Sequence, residues 1–363
     1  MSISFAQKLA RMPHYEPGTS LDDAKAQAET PDAVKLASNE SPAPPHPAVI
    51  EAIAKAARDV NRYPDPEARL LRIRIAERYD TDPARIAVSN GSCEILLAAA
   101  EALCEPGAEI VYAWPSFSIY PHMTALSGAR EIRVPLADGD VHDLQAMVAE
   151  ITVATQIVVI CNPNNPTGTH LPAAEVASFL ERAPDHVTVI LDEAYIEFQT
   201  NEDPDTTLDL LGRHSNLVLL RTFSKCYGLA GLRVGYGLCS PQFRAAVDAV
   251  RQPFSVNAIA QAAAAEAILH QDDVTDRVER NVVERLVVEE GIRELGLDTP
   301  DSQANFSWVA LGDREEDDVI SSLGRAGVAV RPGAGLGAPG HLRVTYGTRA
   351  ENQRFLAALG EAL

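Results

Sequence analysis

Lys225 stands in the run Thr222-Phe-Ser-Lys225-Cys-Tyr-Gly-Leu-Ala-Gly-Leu-Arg233-Val-Gly-Tyr-Gly237, just after the apolar run 217–220. Such a run reads as a buried strand. A lysine past its end, among small residues, suits a pocket, where loss of water and nearby cations lower its pKa and free the amine to attack a carbonyl. Arg233 follows between apolar residues and glycines, and its planar fork matches a phosphate. Ser224 can donate its hydroxyl to the same anion. An amine beside a phosphate cradle fits a phosphorylated aldehyde, the description of pyridoxal phosphate. A surface lysine beside a structural arginine accounts for this stretch equally well, so other residues must decide.

Several places offer matching chemistry. Asp192 closes the apolar run 187–191, and a carboxylate at a strand's carboxyl end is costly unless it meets a cation. A pyridinium nitrogen is such a cation; a helix-capping aspartate is the plainer alternative. The loop Cys161-Asn-Pro163-Asn164-Asn165-Pro166-Thr167-Gly168 follows the apolar strand 157–160. Its prolines lock φ, and a buried asparagine amide there can donate to a phenolate-like oxygen. Asn90-Gly91-Ser92-Cys93-Glu94 joins a short strand to a helix and leaves free N–H groups at Ser92 and Cys93 as an anion site. Ser92 serves equally well as a simple cap. Phe117, past the strand 109–112, suits stacking on a planar ligand or ordinary core packing. Arg331 and Arg343 lie on late strands, as a clamp for acidic groups or as edge residues. Tyr63, in Asn61-Arg62-Tyr63-Pro64-Asp65, reads on local grounds as a loop aromatic packed on the preceding helix.

The elements that must hold these residues follow from periodicity. Strands at 86–88, 109–112, 157–160, 187–191 and 217–220 alternate with helices between residues 86 and 240. That pattern implies a largely parallel sheet with helices on both faces, whose ligands sit at the carboxyl ends of strands. The last hundred or so residues read as a small α+β unit, with strands at 306–310, 328–331 and 341–346 and helices at 315–326 and 351–363. The expected division is an N-terminal arm of residues 1–38, a large domain of 39–252 and a small domain of 253–363.

The chain has 363 residues, 46% apolar and 23% charged, and a formal charge of −20 spread along its length. That balance argues against nucleic acid or an anionic membrane as partner. Cys93, Cys104, Cys161, Cys226 and Cys239 form no CxxC pair, so reduced thiols are expected rather than disulfides or a metal site. No apolar run nears the ~18 residues of a membrane span, and no leader-like start is visible, so a cytoplasmic location is expected.

Taken together, Asn-Gly-Ser-Cys-Glu, Cys-Asn-Pro-Asn-Asn-Pro-Thr-Gly, Leu-Asp-Glu-Ala-Tyr and Thr-Phe-Ser-Lys…Gly-Leu-Arg-Val-Gly-Tyr resemble, in order and spacing, fold-type-I pyridoxal-phosphate aminotransferases. The resemblance runs from Asn39 to Tyr346 and points to the histidinol-phosphate branch and the closely related aromatic amino acid aminotransferases. It implies that Lys225 joins the cofactor and then shuttles the substrate's α-proton. Asp192 would pair with the pyridine nitrogen, Asn165 and Tyr195 would donate to the phenolic oxygen, and Phe117 would stack on the ring where many such enzymes carry tyrosine. The amides of Ser92 and Cys93, with Thr222, Ser224 and Arg233, would surround the phosphate; many relatives carry aspartate at the place of Cys93, a change backbone contacts tolerate. Tyr63 would reach the phosphate in a neighbouring subunit, which requires a homodimer with shared sites. Arg343 would clamp the substrate's acidic group, with Tyr15, Asn39 and Arg331 lining the substrate pocket.

The resemblance thus implies transamination of histidinol phosphate with 2-oxoglutarate, or of phenylalanine or tyrosine in the sister branch. A phosphothreonine-type decarboxylase on the same fold is a further alternative. A cofactor-binding regulator lacks its usual added DNA-binding segment, and a nicotinamide dehydrogenase lacks a GxGxxG after an early strand.

Overall fold

The computed structural model describes residues 3, 5–13, 21–28 and 32–363. In chain order its strands are β1 (Val34–Lys35), β2 (Ile86–Ser89), β3 (Glu109–Trp114), β4 (Arg130–Ala137), β5 (Val141–His142), β6 (Thr155–Cys161), β7 (Thr188–Asp192), β8 (Leu217–Thr222), β9 (Gly235–Leu238), β10 (Phe306–Ala310), β11 (Val328–Ala329), β12 (Arg331–Pro332) and β13 (His341–Thr345).

Eight strands form one sheet in the order β2-β9-β8-β7-β6-β3-β4-β5. The run from β8 through β7, β6 and β3 to β4 is parallel. β9 lies antiparallel between β2 and β8, and β5 lies antiparallel on β4. Along β6, Ile157, Val159 and Cys161 enter one core, while Val158 and Ile160 enter the other. Both faces are buried, which is why this strand is unbroken in apolar residues rather than alternating. The helices Ser92–Leu103 and Ile119–Ser127 cover one face; Ala173–Leu180 and Ala258–Ala267 cover the other.

The second unit holds an antiparallel sheet, β10-β13-β12, and the parallel pair β1-β11. Its core gathers Val288, Ile292, Val309, Leu323, Leu342, Val344 and Phe355.

The structure departs from expectation at several points. The glycine-rich stretch after Lys225 contains β9. A Cβ on Gly235 would stand 2.4 Å from the amide nitrogen of Ser92, so only glycine lets this strand pass the helix start. The single strand expected at 328–331 is split between β11, which pairs with β1, and β12, which pairs with β13. The change of core also comes later than residue 252. Val256 and the helix Ala258–Ala267 pack in the large unit, and the chain crosses along the helix Gln271–Glu294. Leu36 packs in the small unit's core, so the end of the expected arm belongs there. We draw the division inside that crossing helix.

Candidate active site

The carboxyl ends of β6, β7 and β8 open on a cavity of about 410 Å3, a size that suits a small ligand. Asn39, Ser92, Cys93, Phe117, Asn165, Asp192, Tyr195, Thr222, Ser224, Lys225, Arg233, Arg331 and Arg343 all line it. Of the residues singled out in the sequence, Tyr63 does not. It is 82% exposed and stacks on Phe254, ring centres 4.6 Å apart. Tyr15 lies outside the described residues.

Lys225 is three residues past the fully buried β8. Its turn is tied down by Thr222, whose hydroxyl accepts from the Ser224 amide at 3.1 Å. The lysine Nζ donates to the Ser38 carbonyl at 3.2 Å. Burial, then the Arg343 and Arg233 guanidiniums, bring its pKa down to about 7, so a large share of the amine is neutral near neutral pH.

Asp192 ends β7 and is 2% exposed. Tyr120 donates its hydroxyl to Oδ2 at 2.9 Å. Oδ1 is buried and has no hydrogen-bond partner among the described residues. Burial lifts the pKa to about 6, held back by Tyr120, the Ala194 amide and Lys225. The adjacent Glu193 is engaged elsewhere: its Oε2 accepts from Arg221 Nε at 2.7 Å and its Oε1 from Thr207 at 2.5 Å. Asp192 is therefore the carboxylate left for a buried donor.

In the loop after β6, Asn164 is used to hold the loop. Ser116 donates to its Oδ1 at 2.8 Å, and its Nδ2 donates to Thr167 at 2.9 Å. Asn165 accepts from Arg343 at Oδ1, 2.5 Å, which leaves Nδ2 as its donor. Tyr195, 4% exposed, accepts from Asn39 Nδ2 at 2.9 Å, so its own proton is available to a third group. Asn39 has φ of 54° and is braced by Thr345, which accepts from its backbone N–H and donates to its Oδ1. Its amide thus supports Tyr195.

At the opposite wall the helix Ser92–Leu103 begins at Gly91, with no side chain capping it. Its first amides remain an anion site, and Ser92 is the first helical residue rather than the cap. Arg233, with φ of 56°, packs against Gly91 and donates to Ser224 Oγ at 3.3 Å. No carboxylate of the described residues lies within ion-pair distance of it. Arg331 and Arg343 face each other across β12 and β13, and both are buried. Leu336 joins them at the cavity.

These groups fit pyridoxal phosphate. The open Oδ1 of Asp192 matches a protonated ring nitrogen, the uncapped helix start with Arg233 matches a phosphate, and the Lys225 amine matches an aldehyde. Sequence reasoning missed Tyr120, Ser38 and Leu336. Tyr120 carried a faint signal, an aromatic one helical turn after Phe117.

The chain matches the family described as aminotransferase class I and II over residues 31–359. It is 42% identical over 349 residues to an aromatic amino acid aminotransferase of Streptomyces coelicolor, covering 96% of this chain and 94% of that protein. It is 41% identical over 356 residues to a histidinol-phosphate aminotransferase of a Geobacillus species, covering 98% and 97%. Its structure is similar to that of histidinol-phosphate aminotransferase from Sinorhizobium meliloti in complex with pyridoxal-5'-phosphate, with a TM-score of 0.88, 29% identity, and 99% and 97% of the two chains covered.

Proposed function

The chain belongs to the class I and II aminotransferases and depends on pyridoxal 5'-phosphate, and from that premise we propose that it transaminates histidinol phosphate, with 2-oxoglutarate as acceptor. The observation that carries this reading is the Arg331–Arg343 pair across β12 and β13. Two guanidiniums at one end of a cavity suit a phosphate dianion better than a lone carboxylate. Aromatic amino acids are the second reading, supported by the apolar Leu336 and Phe117 on the same cavity. A decarboxylase is disfavoured by the family assignment.

When bound, the cofactor supplies an aldehyde that reacts with amines and a ring that acidifies the neighbouring carbon. Lys225 Nζ would hold the aldehyde carbon and, as a free amine, would take the proton from the donor's α-carbon. Asp192 Oδ1 holds the ring N–H, and Tyr195 and Asn165 donate to the phenolic oxygen. The Ser92 and Cys93 amides, Ser224 and Arg233 hold the phosphate, with Thr222 fixing their turn. Phe117 packs on the ring face. Tyr63, turned outward on its own chain, serves the site of a second copy, which makes the working form a homodimer; a cytoplasmic location completes the proposal.

Comparing kcat/KM for histidinol phosphate and phenylalanine, each with 2-oxoglutarate, tests the substrate. Histidinol phosphate is expected to lead. A phenylalanine advantage above about tenfold overturns the reading.

A further inference from the structure

Back to back with the active cavity lies a second one of about 330 Å3, within the range that holds small molecules. Its wall residues come just after active-site groups in the chain: Ser41 after Asn39, Phe198 after Tyr195 and Cys226 after Lys225.

Asn305 links this cavity to the active one through Asn39. It is 3% exposed and lines the second cavity. Its Nδ2 donates to the Asn39 carbonyl at 3.2 Å, and Asn39 Nδ2 in turn donates to the Tyr195 hydroxyl. Its Oδ1 is buried and has no hydrogen-bond partner among the described residues. A buried acceptor of that kind calls for an N–H or O–H donor.

The rim is cationic. Arg277 is taken by Asp273 at 2.7 Å and by the Pro44 carbonyl, and Arg349 by Glu284 at 3.0 Å. Arg280 engages the Asp276 carbonyl through Nε and has no carboxylate partner among the described residues. Pro42, Ala43 and Phe198 supply apolar lining.

We propose that this second cavity is an effector site for a small ring-bearing monoanion with one N–H or O–H donor, coupled to the active cavity through Asn305, Asn39 and Tyr195. The anionic group meets Arg280, the ring lies against Pro42 and Phe198, and the donor reaches Asn305 Oδ1. Filling that acceptor pins the Asn305 amide, and with it Asn39 and the Tyr195 hydroxyl. Linkage makes the effect reciprocal between the two cavities. The site is independent of which amino donor the enzyme prefers.

The test is calorimetric titration of the holoenzyme with indole-3-acetate, a ring with one N–H and one carboxylate, in wild type, Arg280→Glu, Ala43→Trp and Arg331→Gln. Saturable binding is expected in wild type, weakened about tenfold or more in Arg280→Glu and Ala43→Trp and retained in Arg331→Gln. Arg280→Glu is exposed and keeps the basal rate, so it carries the test even where the tryptophan disturbs folding. Saturating probe is expected to change kcat/KM about fivefold in wild type and not in Arg280→Glu. Absence of binding, or binding lost in Arg331→Gln and kept in Arg280→Glu, overturns the site. Binding with no kinetic change overturns the coupling.

Discussion

The two ends of the active cavity are built from different material. The cofactor end rests on strand ends of a sheet buried on both faces: Asp192 closes β7, Thr222 closes β8, and Asn165 follows β6. The substrate end rests on β12, two residues long, on the edge-to-centre pairing of Arg331 with Arg343, and on the turn Ala334–Leu336. That turn is held by Glu316, which accepts from the amides of Ala334 and Gly340 at 3.0 and 2.6 Å. Groups that must meet one ring at fixed positions sit where the backbone has no room to shift. Groups proposed to choose the substrate sit on short elements where substitution is better tolerated.

Damage at the cofactor end is expected to abolish turnover, and damage at the proposed substrate end to shift preference. Lys225→Ala should lower kcat about 10,000-fold, as measured by aminotransfer rate, with every donor affected alike. A loss confined to one donor would erase the contrast. Arg331→Gln should raise KM for an anionic donor about 100-fold and leave kcat and cofactor affinity nearly intact. An equal fall in kcat would place Arg331 in the chemistry instead. Tyr120→Phe leaves Oδ2 of a buried carboxylate without its donor and pushes the Asp192 pKa above about 6. It should weaken cofactor binding about tenfold, read by titration, with little change in donor KM.

The smallest effect concerns pH. The folded Lys225 amine titrates near 7 against an ordinary 10.5. Between those values the folded protein binds fewer protons at this group than the unfolded chain, so stability from it rises with pH, and its cost is fully present below 7. Lys225→Met should raise the Tm of cofactor-free protein by about 2–4 °C at pH about 6, and by less at pH about 9. A larger gain at the higher pH would contradict the buried, depressed amine.

Legibility in the sequence follows the same contrast. The cofactor end was plain because a polar residue that closes a buried apolar run needs a partner at the strand's end, as Asp192 and Lys225 do. β9 was hidden by its glycines, which serve the close pass at Ser92 rather than strand propensity. β4 was hidden by its exposed, charged face at the sheet's margin. The split of β11 from β12 depends on which partner each meets, β1 or β13, and β1 lies far away in the chain. Tyr120 could not be assigned because its role exists only through Asp192, 72 residues on. Asn39 was expected against substrate and lines the cavity; its amide also holds Tyr195, a contact no local pattern announces.

The most direct test is borohydride reduction of the cofactor-saturated protein followed by peptide mass mapping. The chain has five lysines, Lys8, Lys25, Lys35, Lys55 and Lys225, and four of them fall in its first 55 residues. The expected result is a single pyridoxyl-phosphate adduct on the peptide carrying Lys225. An adduct on any of the other four in its place, or none at all, would contradict the account.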